Sequence, residues 1–102
     1  MSYIVKKAEN QIFEIIAKAY ENAVKNGALP EGELPEFKVE TPADRSHGDY
    51  SCNAAMVSAR TFRTAPIKIA NALCENAVLE GTYFNHIEAA GAGFINFTLS
   101  TD

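Results

Sequence analysis

Apolar residues return every three or four positions between Val5 and Asn26. Val5, Ala8, Ile12, Ile15, Ile16, Ala19 and Ala23 form the repeat, widened by Phe13, Tyr20 and Val24. That spacing gives a helix one apolar face. Lys7, Glu14, Lys18, Glu21 and Lys25 fall on the opposite side and predict a solvated surface. Gly27 stands where such a helix would stop. "GALPEGELPEF" follows, rich in acids, proline and glycine, and reads as a surface connection. Phe37 and Val39 alternate with Lys38 and Glu40, the pattern of a short strand. "TPADRSHG" is then a loop.

A second helix is predicted from about Asp49 to Phe62, with Ala55, Met56, Ala59 and Phe62 inward and Cys52 one turn earlier. Thr64 and Pro66 open a third, because proline is tolerated in a first turn. Ile67, Ala70, Leu73, Cys74 and Ala77 line its apolar face, and Gly81 breaks it. Tyr83 to Ala90 and Phe94 to Leu99 read as strands joined by a hairpin turn at "GAG". Helices and strands are segregated along the chain. The predicted class is α+β, a small antiparallel sheet of three to four strands packed against about three helices.

Composition narrows the function. A chain of 102 residues, 47% apolar and 22% charged, suits a single globular domain. Its net charge of −4 argues against a protein that coats DNA, since every neutralised phosphate needs a Lys or Arg. Reading unstacked bases stays open, because that needs aromatic and amide groups more than charge. Cys52 and Cys74 are isolated, with no CxxC pair, and are predicted to be reduced, buried and intracellular thiols. The first residues lack the apolar segment of a signal peptide. The longest uncharged stretch, Ala89 to Thr101, falls short of the ~20 residues that span a bilayer. The expected location is the cytoplasm, with no membrane partner.

Two stretches carry candidate chemistry. In "HGDYSCNAAM", Asp49 is placed to cap a helix by accepting from the backbone N–H of Ser51 or Cys52, with Gly48 allowing a tight approach. Ser46 and Asp49 also show capping-box spacing, but that would put Gly48 inside the helix. The rival readings are an acid–base pair of His47 and Asp49, or a metal site drawing on His47, Asp44, Asp49 and distant His86. No nucleophile elbow and no phosphate-loop glycine pattern supports chemistry here, and the capped helix start is the preferred reading.

The second stretch is "GAGFINFTL". Along a strand, Ile95, Phe97 and Leu99 share one face, while Phe94, Asn96 and Thr98 share the other. A phenylalanine beside an amide on the polar face has two readings. Either another element covers that face, or Phe94 stacks on a splayed base and Asn96 matches its edge. Arg60, Arg63 and Lys68 form the basic cluster, around the turn between the second and third helices. They are either a solvated turn or contacts to a nucleic-acid backbone.

Taken together, "TPADRSHGDYSCNAAM", "IKIANAL" and "IEAAGAGFINFTL", in that order, resemble the amino-terminal additional domain of arginyl-tRNA synthetases. The resemblance covers essentially the whole chain. It implies a domain that contacts the D-loop elbow of the tRNA for arginine and positions it for the catalytic domain of the same parent chain. It implies that Phe94 and Asn96 read a base. A third polar contact known in some relatives falls near Gly91, which has no side chain to supply it. Gly48 and Asp49 look structural, and Tyr50 and Asn53 are placed near the interface. HIGH-like and KMSKS-like sequences are missing from these residues. The expectation is therefore a non-enzymatic domain, residues 1–102, without a cofactor of its own; ATP and magnesium belong to the absent catalytic domain. The alternative is a structural or protein-interaction domain that docks on a neighbour through its Phe94 face.

Overall fold

The computed structural model describes residues 3–42 and 48–99, with side chains from residue 7 onward. Asp44, Ser46 and His47 lie outside the described residues. The elements run α1 (Tyr3–Lys25), β1 (Val39–Glu40), β2 (Tyr50–Cys52), α2 (Ala54–Phe62), α3 (Pro66–Asn76), β3 (Phe84–Ala90) and β4 (Phe94–Leu99). The strands form one sheet in the order β1-β2-β4-β3, each neighbouring pair antiparallel. Helices α2 and α3 pack on the sheet, and α1 packs on α3. This is the α+β arrangement the sequence predicts.

The apolar stripe of α1 does what its spacing requires. Ala8, Ile12, Ile15, Ile16, Ala19, Tyr20 and Ala23 are all buried. The helix stops at Gly27, which takes φ +78° while Gly27 N–H bonds to Val24 O and Ala28 N–H to Ala23 O. That pair of bonds is a Schellman ending, and only a residue without Cβ enters it freely. The Tyr20 hydroxyl then fastens the following loop by donating toward Pro30 O and Gly32 O, at 2.8 and 3.0 Å. Its ring stacks on Phe62, with centroids 5.2 Å apart. Phe13 departs from the stripe. It is exposed and meets Phe37 at 4.9 Å instead.

The segment after Gly48 corrects the sequence reading. Residues 50–52 are not helical. They form β2, with Tyr50 and Cys52 buried and Ser51 between them on the other face. The reason is tertiary: Tyr50 pairs with Phe97, Ser51 with Asn96 and Cys52 with Ile95. Three residues are too few to display an alternating pattern, and the small apolar run after them mimics a helix. Helix α2 starts at Ala54 rather than near Asp49, and its inward side is Ala54, Ala55, Ser58 and Phe62. Met56 is turned outward. In α3 the buried residues are Ile69, Ala70, Ala72 and Leu73, with Ile67 exposed and Cys74 half-buried.

The hairpin between β3 and β4 forms at the predicted glycines, with Gly91 at φ +57° and Gly93 at φ +132°. Gly93 also has no room for a side chain: a Cβ there would sit 2.6 Å from Pro66 Cβ and 3.0 Å from Met56 Cγ. The turn is thus pressed against the start of α3 and the outer side of α2.

Two features of the core are open to measurement. The Ser58 hydroxyl is buried and has no hydrogen-bond partner among the described residues. A buried hydroxyl left unpaired costs about 1–3 kcal/mol. Ser58→Ala should therefore raise the thermal midpoint by about 4–8 °C for each kcal/mol recovered, and a lowered midpoint would show that the hydroxyl is satisfied. Burial also pushes the Cys52 thiol from its ordinary 9.0 up to about 12, and the Cys74 thiol up to about 11. The fold favours the protonated thiols, so this stabilisation is complete below about pH 9 and is lost as pH rises toward 12. Urea unfolding across that range should show falling stability, with a shallower fall in Cys52→Ala.

Candidate functional site

Strand β4 is central in the sheet, so its alternation fixes what each face carries. Ile95 and Phe97 point into the core and are fully buried. Phe94, Asn96 and Thr98 therefore point to the side away from the helices. Antiparallel partners lie on the same face. The pairings Glu40 with Ser51, Ser51 with Asn96, and Asn96 with Glu88 thus lay one polar row across all four strands. Phe94 sits beside this row, paired with Ala90 at the hairpin.

Phe94 is 39% exposed, whereas Asn96 is only 6% exposed. The two share a hollow of about 270 Å³ with Glu40, Pro42, Ser51, Ala90 and Gly91. Among the described residues no hydrogen bond engages the Asn96 side chain. Its amide is not sealed from solvent as the Ser58 hydroxyl is, so it remains available from the hollow. An amide offers one acceptor and two donor hydrogens. Left unpaired in a crowded place, it is costly until a ligand satisfies it. Gly91 adds no side chain and leaves that side of the hollow open. An exposed ring with an unspent amide beside it can stack on a flat heterocycle and hydrogen-bond its edge.

The other sequence candidates are placed differently. Asp49 does not cap a helix, because the residues after it are strand. Its N–H donates to Phe97 O at 2.8 Å, and its carboxylate accepts the Leu99 N–H at 2.9 Å. Gly48, at φ +89°, lies against the same strand: a Cβ there would be 2.8 Å from Phe97 O. The tight approach exists, but it is to β4. The N-cap position of α2 is Asn53, whose side chain makes no cap bond. Its Oδ1 instead accepts the Lys38 N–H at 2.8 Å, tying β1 to the end of β2. Tyr50 is buried against Phe84, edge to face, and belongs to the core rather than an interface.

Arg60 lies in the last turn of α2, Arg63 in the left-handed position that ends it, and Lys68 in the first turn of α3. All three are exposed, and none lines a hollow beside Phe94. Among the described residues, the cation that does is Lys38, together with Met56 and Asn53. Sequence reasoning misses Lys38 because its placement depends on β1 pairing with β2. His86, a candidate ligand by sequence, lies on β3 with Nε2 2.7 Å from a Glu88 carboxylate oxygen. Among the described residues no three His, Cys, Asp or Glu side chains are grouped to hold a metal ion. Both cysteines are free, and their raised pKa values make them poor nucleophiles.

The family profile described as arginyl tRNA synthetase N terminal domain matches residues 6–99. The chain belongs to that family. Among its relatives, the arginine–tRNA ligase of Acetivibrio thermocellus is 41% identical over 100 residues, covering 98% of this chain and 18% of that enzyme. The arginine–tRNA ligase of Symbiobacterium thermophilum is 44% identical over 96 residues, covering 94% of this chain and 17% of that enzyme. The solved Thermus thermophilus arginyl-tRNA synthetase superposes with a TM-score of 0.66 at 25% identity, over 91% of this chain and 14% of that one. The Plasmodium falciparum enzyme shares the fold, with a TM-score of 0.61 at 23% identity over 88% of this chain and 16% of that one. The chain thus spans less than a fifth of the length of the curated ligases it matches. Among the described residues no helix is long and apolar enough to cross a membrane.

In this arginyl-tRNA synthetase N-terminal domain, the glycine and aspartate of "HGDY" hold β4 in place. Asp49→Ala should lower stability by about 1–3 kcal/mol, measured by denaturant unfolding. It should also speed hydrogen exchange at the Leu99 amide. An unchanged Leu99 amide would show that the carboxylate does not anchor the strand.

Proposed function

We propose that this domain binds the tRNA for arginine by taking one unpaired base of the D-loop into the hollow beside Phe94. The base stacks on the Phe94 ring, and the Asn96 amide bonds its edge. The observation that carries this reading is the pairing of an exposed ring with a nearly buried, unspent amide in one hollow. Family membership supplies the kind of RNA. Electrostatics favours base reading over backbone gripping, because Glu40 and Glu88 lie in the same row as Asn96 and repel phosphates. The role is positional. The domain adds tRNA affinity to a parent ligase whose catalytic domain holds ATP and magnesium and performs arginylation in the cytoplasm. Docking onto a neighbouring domain has its own feature, away from Phe94: the exposed Phe13 ring on the half-buried Phe37, with Ala17, Leu34 and Pro35 beside it.

Stacking on an aromatic side chain is worth about 1–3 kcal/mol per base. Phe94→Ala should therefore weaken binding of an arginine tRNA transcript about 5- to 150-fold with the fold intact. Asn96→Ala should weaken it and blur discrimination between bases at one D-loop position. Unchanged affinity in a folded Phe94→Ala domain would contradict the proposal.

A further inference from the structure

Phe94 lines two hollows, not one. The second, of about 200 Å³, is bounded by Lys38, Cys52, Asn53 and Met56 and shares Glu40, Ser51 and Phe94 with the first. Its composition differs from the Asn96 side in three respects. It carries an ammonium group. It has an exposed, flexible thioether, with Met56 41% exposed. It also has the Asn53 amide, whose oxygen is spent on the Lys38 N–H while its NH₂ has no partner among the described residues.

We infer that this second hollow seats the nucleotide next to the one read by Asn96, so that two successive bases of one RNA strand lie against Phe94. The inference rests on the base-reading proposal and extends it. A strand that seats one base against this ring brings the neighbouring nucleotide within reach of the adjoining hollow. The adjoining hollow offers Met56 as an apolar wall, and a thioether packs well against aromatic rings. The phosphate between the nucleotides needs a cation, and Lys38 supplies it from the lining of this second hollow. Glu40 lines both hollows and keeps phosphate out of their shared wall, while it can accept from a base amine. Arg60, Arg63 and Lys68 take no part, since none lines either hollow.

Lys38→Ala and Met56→Ala change exposed side chains outside the core, so both variants should fold. The test is NMR titration of the 102-residue domain with an arginine tRNA transcript at several salt concentrations. It follows Phe94, Asn96, Lys38 and the Met56 methyl. The inference expects all four to shift together. Met56→Ala should weaken binding about 2- to 10-fold without changing its salt dependence. Lys38→Ala should weaken binding and flatten the slope of log K against log salt by about 0.7. If Phe94→Ala weakens binding while Lys38→Ala and Met56→Ala bind as wild type, the site holds one nucleotide and the inference fails alone. If Phe94→Ala also binds as wild type, the base-reading proposal fails and takes the inference with it.

Discussion

Everything about the candidate site depends on β4 being paired on both edges. A central strand bonded to β2 on one side and β3 on the other cannot rotate about its axis. Once Ile95 and Phe97 are in the core, Phe94 and Asn96 must face away from the helices. A slip of one residue would exchange the two sets completely. The register is pinned where the chain enters β2: Gly48 permits a backbone approach that no side chain would allow, and Asp49 bonds the strand through both its N–H and its carboxylate. At the other end, Gly93 fits between Pro66 and Met56. Both ends of the strand that presents Phe94 are thereby held to the rest of the fold.

For the RNA-binding role proposed, this surface is unusual because its described residues are not predominantly basic. One row across the sheet carries two carboxylates, a hydroxyl and an amide. Such a face gains little from phosphate neutralisation and must take its affinity from stacking and edge hydrogen bonds. This fits the positional role proposed above. The chain covers only 18% of the Acetivibrio thermocellus ligase, and a modest, specific contact at one loop is amplified when the rest of the tRNA is held elsewhere.

Much of the fold is legible in the sequence, and the exceptions have physical causes. The α1 stripe and the β3–β4 hairpin are long enough for their periods to be unmistakable, and the hairpin glycines sit where positive φ is needed. Segregating Phe94 and Asn96 from Ile95, Phe97 and Leu99 requires only the two-residue period of a strand. β2 escapes sequence reading because "YSC" is three residues long and runs straight into "NAAM". With that strand read as helix, Asp49 becomes a cap and Met56 a core residue; in the fold Asp49 serves β4, and Met56 faces a hollow. Lys38 is invisible as a site residue because only the pairing of β1 with β2 brings it near Phe94. Arg60, Arg63 and Lys68 are close in sequence yet belong to the helical layer.

The central claim is that an RNA base lies against the Phe94 ring with its edge toward the Asn96 amide. Intermolecular nuclear Overhauser effects between Phe94 ring protons and a base-labelled arginine tRNA test it directly. The account predicts contacts from the ring to one D-loop base, with the Asn96 side-chain NH₂ protected from exchange in the complex. A bound complex in which the Phe94 ring meets no base, or in which the Asn96 NH₂ exchanges as freely as before, would contradict it.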